Sequence, residues 1–241
     1  MAGFFYRLGK KAGPKVRKAR WMWQTVFGSE TEMITAEKGV GKDLADEVLH
    51  QVPACDQADV STLMSTVSGR LAKHLRDKRR QFVVTAIEDS QPNAFALPGG
   101  YVFITRSILD LCHLDESQVA FIVAHEMAHI IRGHAMERIV LNSAVSFASN
   151  LATVRGSIAG WAKKVGVGAL QSEYSRDQEL DADALAVRLC RAAGYDSQGA
   201  EQLLTALARK CKDSDPQGLG KYFSSHPSMA VRISAIRRIL K

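Results

Sequence analysis

The sequence predicts an α+β domain that is mostly helical, with one small sheet near the middle of the chain. The 241 residues are 46% hydrophobic and 24% charged, with only 6 prolines, which is typical of a globular protein rather than a disordered one. Apolar residues recur at helical spacing along most of the chain, whereas short runs of branched and aromatic residues near its middle are typical of strands.

Two amphipathic helices are predicted before the sheet, over residues 32–51 and 60–77. In the second, apolar side chains recur every three or four residues and share one helix face: Leu63, Val67, Leu71 and Leu75. We expect that face to pack against the rest of the domain.

The strands are predicted at Phe82–Ile87 and Tyr101–Thr105, which are rich in branched and aromatic residues. Pro98–Gly100 lies between them and is a turn signal. A third strand is present if Ala94–Leu97 pairs as well.

Every predicted element after Arg106 is a helix. Asp115 with Gln118 is a capping pair for a helix over about residues 116–137. Further helices are predicted over roughly 140–163, 172–193, 198–211 and 227–240.

The net charge of +7 comes from the N-terminal segment, which divides the chain into a basic arm (residues 1–29) and a globular domain (residues 30–241). The arm has seven basic and no acidic residues; removing those seven from the 32 basic residues leaves 25, equal to the 25 acidic ones. The neutral domain argues against a nucleic-acid-binding face on the fold itself.

The arm also holds six of the 17 aromatic residues. Trp and Phe settle at membrane interfaces, so the arm is expected to contact anionic lipid headgroups weakly. The alternative is a disordered solubilising tail, since Gly9, Gly13 and Pro14 interrupt any helix there.

Neither a secretory leader nor a membrane-spanning segment is predicted. The longest uninterrupted apolar run is Val119–Ala124, far short of the roughly 18–20 residues that cross a bilayer. The four cysteines form no C-x-x-C pair and lack the density of a disulfide scaffold. The expected location is the cytoplasm, with peripheral contact to the inner face of the membrane.

The strongest chemical signal is His125-Glu126-Met127-Ala128-His129, inside an apolar helix. Residues four apart share a helix face, so both imidazoles can reach one ion. Glu126 stands about 100° around the axis, where its carboxylate can take a proton from bound water. A random chain of this composition would contain about 0.01 such matches. The alternative is a pair of core histidines, each satisfied by a hydrogen bond.

A zinc site needs a third ligand, and four residues are candidates: His134, Glu173, Glu179 and His226. The spacing from His129 to His134 does not fit a metzincin, so His134 is expected on the flank of its helix. Glu179 and Asp183 lie four apart on one helix, where one carboxylate can ligate zinc while the other accepts the second N–H of a ligating histidine. The alternative for this segment is a solvated acidic helix face.

Two other segments could complete such a site. His226, in the loop 224–228 before a predicted helix, can reach over a zinc ion and donate to an oxyanion; alone, it would be a surface histidine. The segment 93–100 contains a short strand whose edge can pair with an extended peptide; alone, it would be an ordinary hairpin.

In this order, the four segments resemble the zinc metallopeptidase family that includes HtpX, BepA and the CAAX prenyl proteases. The resemblance covers residues 33–240. The matching motifs are N-A-F-A-x-P-G-G at 93–100, H-E-x-x-H at 125–129, S-R-x-x-E-x-x-A-D at 175–183, and S-H-P-S at 225–228 followed by Arg232.

The resemblance implies a zincin-like catalytic domain of the gluzincin type, with the small sheet beside the active-site helix. One zinc ion (Zn2+) per chain would be held by His125, His129 and Glu179. Asp183 would orient a ligand histidine, namely His125.

The resemblance further implies that Glu126 is the general base and that His226 lies near the scissile carbonyl. The peptide would pair with Asn93, Ala94, Phe95 and Ala96. The resulting prediction is a zinc-dependent endopeptidase in protein quality control, at or near a membrane surface. The rival is a catalytically silent, zinc-binding chaperone-like module, whose hallmark would be a missing Glu126.

Overall fold

The computed structural model of this protein describes residues 29–138, 174–213, 226 and 229–241. The arm before Ser29 and the helix predicted over 140–163 lie outside the described residues. Within them, the fold is mostly helical with one three-stranded sheet, which confirms the predicted α+β class.

Helices α1 (Glu30–Gln51) and α2 (Ala58–Lys73) correspond to the two predicted N-terminal helices. Helix α2 ends four residues earlier than predicted. The Lys78 ammonium donates to the carbonyls of Ala72 and Lys73 and so satisfies the end of the helix.

The sheet contains β1 (Val83–Ile87), β2 (Ala94–Leu97) and β3 (Tyr101–Thr105), in the order β1-β3-β2. The conditional third strand is therefore present, and it forms an edge of the sheet. Strand β2 runs antiparallel to β3, whereas β1 runs parallel to β3. The turn at Pro98–Gly100 accordingly joins β2 to β3.

This turn depends on glycine. Gly100 has a φ of +106°, and a Cβ there would lie 1.8 Å from the carbonyl oxygen of Gln81. A Cβ at Gly99 would lie 2.6 Å from the carbonyl oxygen of Glu37 in α1. The turn therefore packs backbone against backbone and fixes α1 on this end of the sheet.

Helix α3 (Arg106–Leu111) leads to α4 (Glu116–Ile131), the central helix of the domain. Every side chain from Val119 to Ile130 is buried. The predicted continuation of this helix to residue 137 is wrong. Gly133 adopts a φ of +77°, a left-handed conformation that ends helices, and helical backbone resumes over 134–138.

Three helices complete the described chain: α5 (Arg176–Ala192), α6 (Gln198–Asp213) and α7 (Met229–Leu240). Helix α4 packs against α2, α5, α6 and strand β2, and α7 packs on α5 and α6. The main apolar core lies around α4, so the H-E-x-x-H segment stands at the centre of the domain. Within the described ranges, every helix is too short or too polar to span a bilayer.

Candidate metal centre

Helix α4 places the two histidines of the H-E-x-x-H segment on one buried face. His125 and His129 lie one helical turn apart, and their Nε2 atoms are 3.1 Å from each other. Glu126 follows His125 and so lies about 100° further around the helix axis; it is also buried. The apolar residues that precede them keep this part of the helix away from solvent.

Helix α5 brings two carboxylates to the same place. Ser175 caps α5 by accepting the Gln178 N–H, which sets where the helix begins. Glu179, in the first turn, then lies with Oε1 3.2 Å from His129 Nε2. Asp183, one turn later, lies with Oδ1 2.9 Å from His125 Nδ1.

His226 approaches the site from the segment before α7. It is fully buried, and its Nδ1 lies 2.9 Å from Glu179 Oε1 and 3.4 Å from His125 Nε2. Its other ring nitrogen, Nε2, lies 3.5 Å from Glu126 Oε1. The residues on either side of His226 lie outside the described part of the chain.

The donor atoms of His125, His129, Glu179 and His226 fit a metal ion. All four atoms lie within 4.8 Å of one another, and the separations given above run from 2.9 to 3.4 Å. Two ligands held at about 2.0–2.1 Å from a tetrahedral ion stand about 3.3 Å apart. Two imidazoles and a carboxylate from two helices are also the arrangement of a gluzincin site.

Asp183 and Arg232 contact the residues that carry these donor atoms. A carboxylate beside His125 Nδ1 accepts its N–H and leaves Nε2 to face the cluster. Arg232 donates through Nε and Nη2 to the two Asp183 oxygens, at 2.9 and 2.8 Å. Its Nη1 lies 2.9 Å from Glu179 Oε2, so one buried cation neutralises two buried carboxylates.

These contacts set the charges of the site. Burial raises the pKa of Glu179, but the neighbouring histidines and Arg232 outweigh burial and hold that pKa well below its usual range. Burial and Arg232 lower the pKa of His125, but Glu179 and Asp183 outweigh them and raise it to about 9. Burial holds the pKa of His129 well below its ordinary value. A metal ion would therefore meet a charged Glu179 and a neutral His129, and would displace a proton from His125.

His134 and Tyr174 support His129 from behind. His134 Nδ1 lies 3.2 Å from His129 Nδ1, the nitrogen that faces away from the cluster. The Tyr174 ring stacks on the His129 ring at 3.7 Å between centroids. His134, expected on the flank of α4, is buried beyond the end of that helix, because the chain turns at Gly133. Burial lowers its pKa to about 4.

The structure thus distinguishes among the four candidates for the third ligand. Glu179 and His226 lie in the donor cluster, and His134 does not. Glu173 lies outside the described residues.

The predicted peptide-binding segment forms one edge of the sheet among the described residues, beside α4. The Thr105 N–H donates to the Asn93 carbonyl. Because hydrogen-bonded pairs alternate along an antiparallel ladder, Phe95 bonds inward to β3, whereas the backbone groups of Ala94 and Ala96 face outward. The outward carbonyl of Ala96 accepts from Arg138 Nη2 at 3.2 Å.

Sequence reasoning assigned no role to three residues of this region: Arg232, Tyr174 and Arg138. For Arg232 a signal was available, since it lies on the same face of α7 as the buried Met229 and Ile236. An arginine on a buried helix face indicates a buried carboxylate partner. Tyr174 and Arg138 reach the site from segments on either side of 139–173, and local patterns carry no such signal.

The profile described as "Peptidase family M48" matches residues 56–240. The mitochondrial metalloendopeptidase OMA1 of Schizosaccharomyces pombe is 34% identical over 158 residues, which cover 64% of this chain and 45% of that protein. The putative beta-barrel assembly-enhancing protease of Vibrio cholerae is 29% identical over 196 residues, covering 76% of this chain and 40% of that protein. The metalloprotease YcaL of Escherichia coli is 25% identical over 153 residues, covering 61% and 58%.

The chain thus spans about half the length of the curated relatives it matches, or less. Among solved structures, the crystal structure of S. mikatae Ste24p aligns with a TM-score of 0.45 at 16% identity, covering 95% of this chain and 63% of that one.

Proposed function

This chain belongs to peptidase family M48, and on that premise we propose that it is a zinc-dependent endopeptidase that hydrolyses polypeptides. The observation that carries the proposal is the buried group of four donor atoms beside Glu126. His125, His129 and Glu179 would hold one zinc ion per chain, because imidazole nitrogen and carboxylate oxygen at this spacing suit that ion. A bound zinc ion polarises a substrate carbonyl and makes a coordinated water more acidic.

Glu126 is the proposed general base. Its Oε1 lies 3.5 Å from His226 Nε2, and its Oε2 is buried without a hydrogen-bond partner among the described residues. A carboxylate oxygen in that position can accept the proton of an attacking water. Glu126 then delivers the same proton to the leaving amine, so that one side chain serves both halves of the reaction.

His226 is the proposed donor to the developing oxyanion. Its Nδ1 lies within the donor cluster, so the geometry also allows a fourth ligand. We favour the donor role because His125, His129 and Glu179 already supply three ligands, and a hydrolytic site keeps the fourth position open for water. A hydrogen-bond donor on a separate segment can stabilise charge that appears only in the transition state.

The substrate is proposed to lie extended along the outer edge of β2. Main-chain hydrogen bonds with an edge strand bind a peptide through its backbone, whatever its side chains. The residues that would line it are Asn93, Ala94, Phe95 and Ala96. Such binding requires an unfolded segment, which suits a role in protein quality control.

A silent, chaperone-like zinc module is not favoured, since Glu126 is present and buried next to the donor atoms. For location, the proposal remains the cytoplasm with weak contact to an anionic membrane surface through residues 1–29. Seven basic residues and six aromatic residues in that arm support the membrane contact.

Digestion of one test protein in its folded and denatured forms, with and without a chelator, tests this function. We expect the denatured form to be cleaved faster, since only an extended segment can pair with β2. The chelator should abolish cleavage, and added zinc should restore it. Cleavage that persists in the chelator, or intact test protein under every condition, would contradict the proposal.

A further inference from the structure

Arg138 lies between the sheet edge and the metal centre. Its side chain is 5% exposed, and its Nη2 donates to the Ala96 carbonyl at 3.2 Å. The guanidinium carbon stands 4.4 Å from the centre of the Tyr174 ring, which in turn stacks on His129. One aromatic ring therefore separates this cation from a proposed zinc ligand.

Among the described residues, most of the hydrogen-bonding capacity of Arg138 is unused. Its Nε and Nη1 are buried and have no hydrogen-bond partner among the described residues, and the Tyr174 hydroxyl nearby is in the same state. Buried charges in proteins are normally paired with an opposite charge, because an unpaired one is costly to remove from water. Arg232, the other buried arginine of this region, follows that rule with two carboxylates.

The contact with Ala96 also changes what the edge of β2 can offer a peptide. The Ala96 carbonyl already accepts from Arg138, so an incoming strand that reaches this carbonyl also meets the guanidinium. At this position the edge therefore holds buried guanidinium donors beside the carbonyl acceptor. A ligand here must therefore bring an oxygen acceptor, and the buried positive charge favours a negatively charged one.

We propose that Arg138 forms a carboxylate-binding subsite at the end of the β2 edge, so that substrates with a carboxylate at this position bind best. The proposal rests on the proposed peptidase function, since it assumes that a peptide lies along β2. The carboxylate can come from an aspartate or glutamate side chain or from the end of a peptide chain. Either one would pair with donors that the described residues leave unused.

Peptide binding to the zinc-loaded full chain carrying Glu126→Gln tests this subsite without turnover. The probes are fluorescent alanine-rich octapeptides in which one glutamate is moved through every position, each beside a matched glutamine peptide. A neutral octapeptide with a free or an amidated C-terminus tests the chain-end carboxylate separately. We expect one position, or the free C-terminus, to bind roughly ten- to hundred-fold more tightly than its neutral match, as for hydrogen bonds to a charged group.

Arg138→Met should abolish this preference and leave the affinity for neutral peptides little changed. Arg138→Lys, which keeps the charge without the planar fork, should keep part of the preference and serves if the Met variant fails to fold. The matched control is Arg132→Met, since Arg132 is exposed and already pairs with Asp181 at 2.8 Å; it should keep the full preference.

Equal affinity for every acidic and neutral pair in the parent would overturn the proposal. So would a preference that survives in folded Arg138→Met. If chelator-sensitive hydrolysis is observed without any carboxylate preference, the subsite is wrong and the peptidase function stands. If the Arg138-dependent preference is observed without hydrolysis, the subsite stands and the peptidase function fails.

Discussion

Replacing Arg232 with Met measures how strongly the site depends on its own buried cation. The Arg232 side chain is 1% exposed and makes three contacts of 2.8–2.9 Å with the carboxylates of Asp183 and Glu179. Methionine occupies a similar volume but carries no charge. The substitution therefore leaves two buried carboxylates without the cation that neutralises them.

The expected loss of stability is large. Removing one partner of a buried ion pair costs about 3–5 kcal/mol, because the remaining charge stays buried. In a domain of this size 1 kcal/mol corresponds to about 2–4 °C in Tm, so Arg232→Met should unfold roughly 6–20 °C below the parent in the presence of a chelator. A zinc ion beside Glu179 supplies positive charge, so the difference should be smaller in zinc.

Thermal unfolding, monitored by circular dichroism, measures the Tm difference between variant and parent in chelator and again in zinc. The matched control is Arg237→Met on the same helix, because the ion pair of Arg237 with Glu201 is largely exposed and should contribute less than about 1 kcal/mol. The Tm of Arg232→Lys should lie between that of the parent and that of the Met variant. If Arg232→Met unfolds within the range of the Arg237→Met control, Arg232 does not hold the carboxylates as argued.

Three further predictions concern the ligands, His226 and the arm. Glu179→Ala should lose its zinc on gel filtration while His134→Ala retains it, and Asp183→Ala should weaken zinc affinity by roughly 10–100-fold; full zinc content in Glu179→Ala would make another residue the third ligand. His226→Ala should keep zinc while kcat falls by about 10²–10³-fold with little change in KM, whereas zinc loss matching the activity loss would make His226 a ligand. The full chain should sediment with anionic vesicles at low salt, less so at high salt, and a chain lacking residues 1–29 should not; equal sedimentation with anionic and neutral vesicles would leave the arm a plain tail.

The sequence predicted the elements that depend on local pattern. Helical spacing placed α1, α2, α4, α5, α6 and α7, and branched residues placed the strands. The H-E-x-x-H spacing predicted that His125 and His129 face one point, because that follows from helix geometry alone. The four-residue spacing of Glu179 and Asp183 likewise put both carboxylates on one side of α5.

Features that depend on contacts between distant segments were not predictable in the same way. Strands β1 and β3 are parallel because the chain passes through the edge strand β2 between them. No pattern within β1 reveals that path. The end of α4 was missed because Gly133 is compatible with a helix interior until its φ is known. The contacts of Arg232 with Asp183, and of Arg138 with Ala96, join residues 49 and 42 positions apart.

Glu126→Gln is the sharpest test of the proposed peptidase mechanism, with zinc content and peptide hydrolysis measured on the same sample. The variant should bind about one zinc per chain, since it keeps the proposed ligands, and should lose at least about 100-fold in kcat, because an amide cannot accept the proton of the attacking water. The control Glu47→Gln, on the surface of α1 where Glu47 pairs with Gln51, should retain the parent's activity. Hydrolysis by zinc-loaded Glu126→Gln at the parent's rate would show that Glu126 is not the general base.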